Sequence, residues 1–262
     1  MWKLTTIENM KKSEESLISA SIPSLELMRR AGLVLFHAIR YSGNVAILVG
    51  KGNNGGDGFA LASQLASHDL IPSIYKVSDV ISDDAYYFEA ECKRKNVPIM
   101  PYVKDLGLLD DVDIIVDCLF GTGLKGAPTG LYASAIKEIN AAKGKVVSCD
   151  INSGFNGNTG PTSLAVKSDI TIVINTLKIG TLRKDYRKYI SALKIGDIGI
   201  PLLKDEDYLL DLSEWNNIKE KEIKTDEALN YFIQDGHRYF RKPSDLEIKE
   251  VSYLASSGER RK

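Results

Sequence analysis

The sequence predicts an α/β protein with a three-layer Rossmann-like fold, in which a central, mostly parallel sheet is flanked by helices. Short continuous apolar runs, typical of strands that are buried on both faces, alternate along the chain with segments of helical apolar spacing. Each strand–helix–strand step requires a crossover connection, which makes the strands parallel and places helices on both faces of the sheet.

The elements follow in chain order. Helical spacing runs over 7–18 and 25–39, with Ser24 as a plausible N-cap of the second helix. Strands are predicted at 45–49, 72–77, 112–116, 145–149 and 169–174, and helices after Gly58, at 82–95 and at 132–142. Residues 1–203 are predicted to form one domain. Residues 204–262 are rich in Lys, Asp and Glu, show some helical patterning and no motif, and are predicted to be a charged appendage of unknown role.

Composition excludes several classes of protein. The formal net charge of -1 gives no overall field that would attract nucleic acid or anionic lipid. The 3 cysteines are far apart and form no disulfide or zinc pattern, and no stretch approaches the roughly 20 apolar residues of a membrane span. We therefore expect a cytoplasmic protein whose partners are neither nucleic acids nor membranes.

Three predicted strands end in polar, Gly-rich loops, at the edge of the sheet where doubly wound folds bind ligands. The first, Gly50–Gly58, contains G-x-G-x-x-G ahead of a helix, a weak signal for an anion held by backbone amides. The second begins at Asp117 and contains Gly-Thr-Gly, and the third begins at Asp150 and includes Ser153. A classical dinucleotide dehydrogenase is disfavoured, because the next strand ends near Lys76 with no clear acidic residue for a ribose.

The polar side chains of these loops suggest a site built from oxygen ligands. If the loops meet, Asn54, Asp117 and Ser153 form an oxygen-only cluster, which suits a hard cation. The alternatives are a loop-capping role for Asp117 and a turn or N-cap role for Asp150. No histidine lies in these loops and no P-loop motif is present, which disfavours a histidine-based triad and ATPase chemistry of that class.

These loops resemble those of the YjeF N-terminal domain family, the NAD(P)H-hydrate epimerases. The resemblance of the chain to this family covers about residues 1–203. The resemblance is carried by the sequences at 50–58, 117–124 and 150–154, and further by 22–32 and by 166–171 with Lys178 and Gly180 after it. It implies a usually dimeric three-layer fold that binds a hydrated nicotinamide nucleotide. The implied substrate contacts are Asn53, Asn54, Gly55, Gly56, Asp57, Gly121, Thr122, Gly123, Leu124, Lys125, Gly126, Ala127 and Asp150, and the implied potassium ligands are Asn54, Asp117 and Ser153.

The resemblance implies an enzyme that interconverts the R and S forms of hydrated NADH and NADPH, as a homodimer that works with a separate dehydratase. We predict Asp150 as the group that gives and takes the proton, because epimerisation needs one acid/base near the hydroxyl. The alternative is a non-catalytic nucleotide-binding module or dimeric scaffold of the same fold. The chain departs from the family at Asn152, where Pro is common, and at Arg29-Arg30, where Glu-Asn is frequent. The segment after residue 203 does not resemble the dehydratase that is fused to some members.

Overall fold

The computed structural model describes residues 1–183, 185–205, 207–219, 221–226 and 229–252. Its helices are α1 (Ile7–Ala20), α2 (Ser24–Ala38), α3 (Asn53–Ala66), α4 (Asp83–Arg94), α5 (Gly130–Ala141) and α6 (Leu212–Asn217). Its strands are β1 (Trp2–Thr5), β2 (Val45–Val49), β3 (Ser73–Lys76), β4 (Ile99–Pro101), β5 (Ile114–Cys118), β6 (Lys145–Cys149), β7 (Phe155–Asn156), β8 (Gly160–Pro161), β9 (Ile170–Ile174), β10 (Leu177–Lys178), β11 (Leu193–Asp197), β12 (Asp207–Leu210), β13 (Lys224–Asp226), β14 (Leu229–Gln234), β15 (His237–Arg241) and β16 (Ile248–Ser252).

The main sheet has eight strands in the order β16-β11-β9-β6-β5-β2-β3-β4, and every neighbouring pair is parallel. From β2 the chain first builds outward through β3 to β4. It then returns to place β5 on the other side of β2 and continues outward through β6, β9 and β11. The direction of building therefore reverses between β2 and β5, and such a reversal opens a crevice at the carboxyl ends of the strands.

Two hydrophobic cores lie on opposite faces of this sheet. Ile47 and Val49 of β2 pack into the core that contains the apolar residues of α2, α3 and α4. Leu48, which lies between them and points to the other face, packs into the core that contains Ile136 and Ile139 of α5. Because both faces of the central strands are covered, their sequences are uninterrupted apolar runs. The predicted α/β fold class is confirmed.

A second sheet joins the N-terminus to the residues after 203, in the order β10-β1-β12-β15-β14-β13. The helical patterning of that segment was misleading, because its described part is mostly strand, with α6 as a short helix. Its scattered aromatics pair across strands, as where Tyr239 stacks on Phe232 and Tyr208, and Phe240 on Tyr231. The strand β16 also adds to the main sheet, parallel to β11.

Several local predictions need correction. The N-cap of α2 is Pro23, and Ser24 is the first helical residue. The helix α3 begins at Asn53, so 53–58 forms its first turns instead of a loop that precedes it. The strands β1 and β11 were not predicted because their residues are of mixed polarity, and β4 was not predicted because it has only three residues, the last of them Pro101. Among the described residues, no helix combines the length and hydropathy that a membrane span requires.

Candidate functional site

A cavity of about 380 Å³ opens at the carboxyl ends of β2, β5, β6 and β9, where the strand order reverses. Helices α1 and α2 form its outer wall. Its lining consists of Met10, Glu14, Ser24, Leu27, Met28, Ala31, Lys51, Gly52, Asn53, Asn54, Asp57, Asp84, Leu119, Phe120, Gly121, Thr122, Gly123, Leu124, Asp150, Ile174, Asn175, Lys178, Ile198 and Ile200. The three Gly-rich segments singled out in the sequence thus contribute to one enclosure.

Glycines allow α3 to start directly against the sheet. A Cβ on Gly55 would lie 2.2 Å from the carbonyl oxygen of Gly50, and a Cβ on Gly56 would lie 2.4 Å from the Met28 side chain. Both glycines are buried and do not line the cavity. Their role is to bring the polar first turns of α3, with Asn53, Asn54 and Asp57, against the ends of β2 and β5.

Asn54 is a buried amide that lacks partners within the protein. Its side chain lines the cavity and is only 6% exposed, yet neither Oδ1 nor Nδ2 has a hydrogen-bond partner among the described residues. Leaving a buried polar group unsatisfied costs roughly 1–3 kcal/mol, and native proteins seldom retain one without a reason. Asn54 also lies next to Gly121 of the second loop, so its unpaired amide is at the junction of the first and second loops.

Asp117 and Ser153 lie fully buried and do not line the cavity. The Asp117 carboxylate accepts hydrogen bonds from Ser148 Oγ at 2.9 Å, from Ser153 N at 2.9 Å and from Ser153 Oγ at 2.5 Å. It also caps its own loop by accepting from Leu119 N at 3.3 Å, while Ser153 Oγ accepts from Phe120 N at 2.9 Å. Burial raises the pKa of Asp117 and these hydrogen bonds oppose the rise. The pair therefore joins the second loop to the third.

Asp150 is the first residue after β6 and has a left-handed backbone, with φ of 62°. Its Oδ1 accepts from the Lys178 ammonium and from Ile174 N, the latter at 3.2 Å. Its Oδ2 has no hydrogen-bond partner among the described residues, and the side chain lines the cavity at 15% exposure. The carboxylate is thus oriented through one oxygen and has the other available to a ligand. Asp150 therefore occupies a turn, as one of the alternatives from sequence expected, and its side chain also lines the cavity.

Lys178 lies on β10 and is 3% exposed in its side chain. Besides Asp150, its Nζ donates to the carbonyl oxygen of Ile174 at 2.8 Å. Sequence reasoning did not include this lysine among the site residues. The signal was present, because Lys178 follows the end of a fourth parallel strand, β9, and strand ends are where ligands bind in such sheets.

Two further carboxyl groups, Glu14 of α1 and Asp57 of α3, line the same cavity. Burial raises the pKa of Asp57 well above its usual range, the charges of Asp150 and Glu14 add to the rise, and Lys178 opposes it. Burial also raises the pKa of Glu14, with Asp150 adding and Lys178 opposing. Glu14 and Asp57 therefore hold their protons to higher pH than carboxyl groups in water do.

The raised pKa of Glu14 predicts a pH-dependent gain in stability for Glu14→Gln. A carboxyl group whose pKa is raised by folding lowers the free energy of unfolding as pH rises through its folded-state pKa. We expect the variant to melt about 2 °C above the wild type at pH 8. The difference should shrink as pH falls toward about 4.3, where an ordinary Glu titrates. Thermal melts at several pH values measure it.

Glu15→Gln, at the exposed neighbouring position, is the matched control and should show a much smaller pH-dependent difference. A Glu14→Gln variant that melts below the wild type at pH 8 would contradict the prediction.

The structure separates some predicted contacts from the cavity. Lys125, Gly126 and Ala127 continue the second loop but lie outside the lining, whereas Gly121–Leu124 form part of it. Besides Lys178, the lining residues that sequence reasoning missed are Met10, Glu14, Ser24, Leu27, Met28, Ala31, Lys51, Gly52, Asp84, Leu119, Phe120, Ile174, Asn175, Ile198 and Ile200.

Both departures from the family pattern have structural partners. Asn152 is fully buried and its amide donates to Val166 O at 2.9 Å and Ser168 Oγ at 3.0 Å, so its side chain anchors the third loop. The Arg30 side chain is only 17% exposed. It donates to Ile198 O at 2.9 Å and so braces a segment that lines the cavity.

Comparison with known proteins agrees with this geometry. The family described as YjeF-related protein N-terminus matches residues 24–180, which include the three Gly-rich segments, Asp150 and Lys178. The chain belongs to this family. The structure of this YjeF-family chain is similar to the crystal structure of the yeast protein ynu0 (YNL200c), with a TM-score of 0.66, 19% identity, and coverage of 76% of this chain and 90% of the yeast chain. At that identity the likeness concerns the fold.

Relatives of this YjeF-family chain have names that describe an activity. The NAD(P)H-hydrate epimerase of Lentilactobacillus buchneri is 34% identical over 209 residues, which cover 76% of this chain and 96% of the relative. That of Limosilactobacillus fermentum is 32% identical over 201 residues, covering 74% and 95%. The bifunctional NAD(P)H-hydrate repair enzyme Nnr of Dictyoglomus turgidum is 30% identical over 236 residues, covering 83% of this chain and 45% of the relative.

Proposed function

We propose that this protein is an NAD(P)H-hydrate epimerase, which interconverts the R and S forms of hydrated NADH and NADPH. The relatives that bear this name match this chain over nearly their whole length. The observation that carries the proposal is the Asp150 carboxylate, oriented by Lys178 through one oxygen and open to the cavity through the other. An acid/base aimed into a nucleotide-sized cleft is what this reaction requires.

The chemistry of the hydrate explains the need for one such group. Its hydroxyl sits on the ring carbon beside nitrogen, and that carbon can invert through an iminium or through ring opening and closure. Either route moves a proton at the hydroxyl oxygen, and a positioned carboxylate accelerates such transfers by about 10²–10⁴. Asp150 Oδ2 is the atom that exchanges this proton. Asn53, Asp57 and Gly121–Leu124 form the walls that hold the nucleotide.

A potassium ion is the proposed cofactor, and the residues beside the cavity fit it. Asn54 Oδ1 is a buried oxygen without a partner among the described residues, and it adjoins the loop tied by Asp117 and Ser153. Amide, carboxylate and hydroxyl oxygens are the ligands of hard cations. A bound ion would supply positive charge that fixes the two loops. Asn54, Asp117 and Ser153 are the residues that would hold it.

Potassium should therefore stabilise the protein. At a concentration one hundred times its dissociation constant, a specific ion adds about 2.7 kcal/mol to the free energy of unfolding. We expect a higher Tm in potassium chloride than in equimolar tetramethylammonium chloride, and a clearly smaller increase in Asn54→Ala. Equal Tm values of the wild type in the two salts would contradict the potassium site.

The function is tested with the pure R epimer of hydrated NADH and a separate dehydratase that accepts only the S epimer. Recovery of NADH, followed by its absorbance, requires the chain to convert R into S. Absence of recovery with nucleotide still bound would favour the alternative, a binding module or scaffold. A dehydratase-only reaction corrects for spontaneous epimerisation.

The proposal also includes a partner enzyme, an oligomeric state and a cellular location. The bifunctional Dictyoglomus relative supports a functional partnership with a dehydratase. The homodimer and the cytoplasmic location inferred from sequence stay predictions, and sedimentation or light scattering tests the first of them.

A further inference from the structure

The buried ammonium of Lys178 has more donors than partners. A lysine ammonium carries three N–H groups. In the described part of the chain, two of them are used, by Asp150 Oδ1 and by Ile174 O. Lys178 also lines the cavity, so the third N–H is available to a ligand in it.

The position of that donor relative to Asp150 is informative. Lys178 donates to Oδ1, and Oδ2 has no hydrogen-bond partner among the described residues. Because the two side chains are in contact and both line the cavity, one substrate oxygen can accept from Lys178 while it exchanges its proton with Oδ2 of Asp150.

The charges around the cavity show why such a donor is needed. Its lining carries the carboxyl groups of Glu14, Asp57, Asp84 and Asp150 against the ammonium groups of Lys51 and Lys178. Lys51 is exposed at the rim, whereas Lys178 is buried beside Asp150. In both routes to epimerisation the hydroxyl oxygen gains negative charge, either as it loses its proton or as it leaves the ring carbon. An ammonium aimed at that oxygen stabilises this charge.

We propose that Lys178 is a second catalytic residue, whose free N–H donates a hydrogen bond to the hydroxyl oxygen of the hydrated nicotinamide. This inference rests on the proposed epimerase function and adds a named donor to it. Asp150 exchanges the proton, and Lys178 holds the oxygen from which the proton is exchanged. A merely structural lysine would support Asp150 without touching the substrate.

Equilibrium binding in an inactive background separates these two roles. Asp150→Asn keeps an oxygen for Lys178 but cannot exchange the proton, so hydrated NADH can be titrated without turnover. Adding Lys178→Met should weaken binding of the hydrate about tenfold, since hydrogen bonds from charged groups contribute roughly 1.5–3 kcal/mol. Binding of NADH, which lacks the hydroxyl, should change less than threefold. Equal effects on both nucleotides, or none on the hydrate, would overturn the proposal.

Kinetics in the otherwise native enzyme give the second readout. Lys178→Met should lower kcat about a hundredfold and raise KM about tenfold, in line with the loss of binding, and Lys178→Arg should recover part of both losses because it keeps the charge. The matched control is Lys194→Met, which removes a half-buried lysine whose Nζ donates to Ala38 O from β11, away from the cavity. It should keep kcat within threefold. A Lys178→Met enzyme with unchanged kcat would overturn the proposal. A wild type without epimerase activity would instead refute the proposed function, and the titrations of hydrated NADH and NADH could still be interpreted.

Discussion

An Asp150→Asn variant is expected to lose R/S interconversion by about a thousandfold, within the range that general acid/base groups supply, while it still binds the nucleotide. The amide keeps the shape of the side chain and an oxygen that can accept from Lys178 and Ile174 N. It removes the ability of the second oxygen to take and return a proton. The rate is measured with the R epimer and an S-specific dehydratase, and binding by titration calorimetry.

The matched control for this variant is Asp69→Asn. Asp69 has a left-handed backbone like that of Asp150, with φ of 61°, but it is exposed and lies outside the cavity. It should retain wild-type turnover, which separates the effect of the carboxylate from any effect of the backbone. Turnover in Asp150→Asn within tenfold of the wild type would assign the proton transfer to another group.

The largest expected loss of stability follows Asp117→Ala. Asp117 is fully buried, and its removal leaves Ser148, Ser153 and Leu119 with donors that have lost their acceptor. Each buried donor without an acceptor is costly, and breaking a buried network of this kind lowers the free energy of unfolding by about 3 kcal/mol. Urea unfolding of the wild type and the variant, with equal m values, measures the difference.

Asp111→Ala is the control for this prediction. Asp111 is exposed and lies shortly before the same strand in sequence, and surface substitutions of this kind change stability by about 0.5 kcal/mol or less. A loss in Asp117→Ala no larger than that of Asp111→Ala would show that the loops are held together by other contacts. It would also weaken the case for a cation site that depends on their junction.

Much of the fold was predictable because its strongest signals are local. The run Val45–Val49 is apolar at every position since β2 is covered on both faces. The second and third loops were recognised because each lies at the end of such a strand, although Asp117 itself is still part of β5. The residues after 203 gave a misleading pattern. Their strands lie in a second sheet whose pairing with β1 spans most of the chain, and no local window contains that pairing.

The Gly-rich motifs, the α/β class and the position of Asp150 at the end of a strand were thus readable from residue types and their short-range order. The tertiary structure alone decided which groups surround Asp150. Lys178 reaches it because β6 and β9 pair in parallel, Cys149 beside Ile172, which brings two chain segments to the same edge of the sheet. Glu14 reaches the cavity because α1 packs across the mouth of the crevice. Such contacts depend on the register of the strands and on how the helices pack against the sheet. Register and packing are set by the burial of apolar residues over the whole molecule, and the sequence around Lys178 or Glu14 does not contain that information.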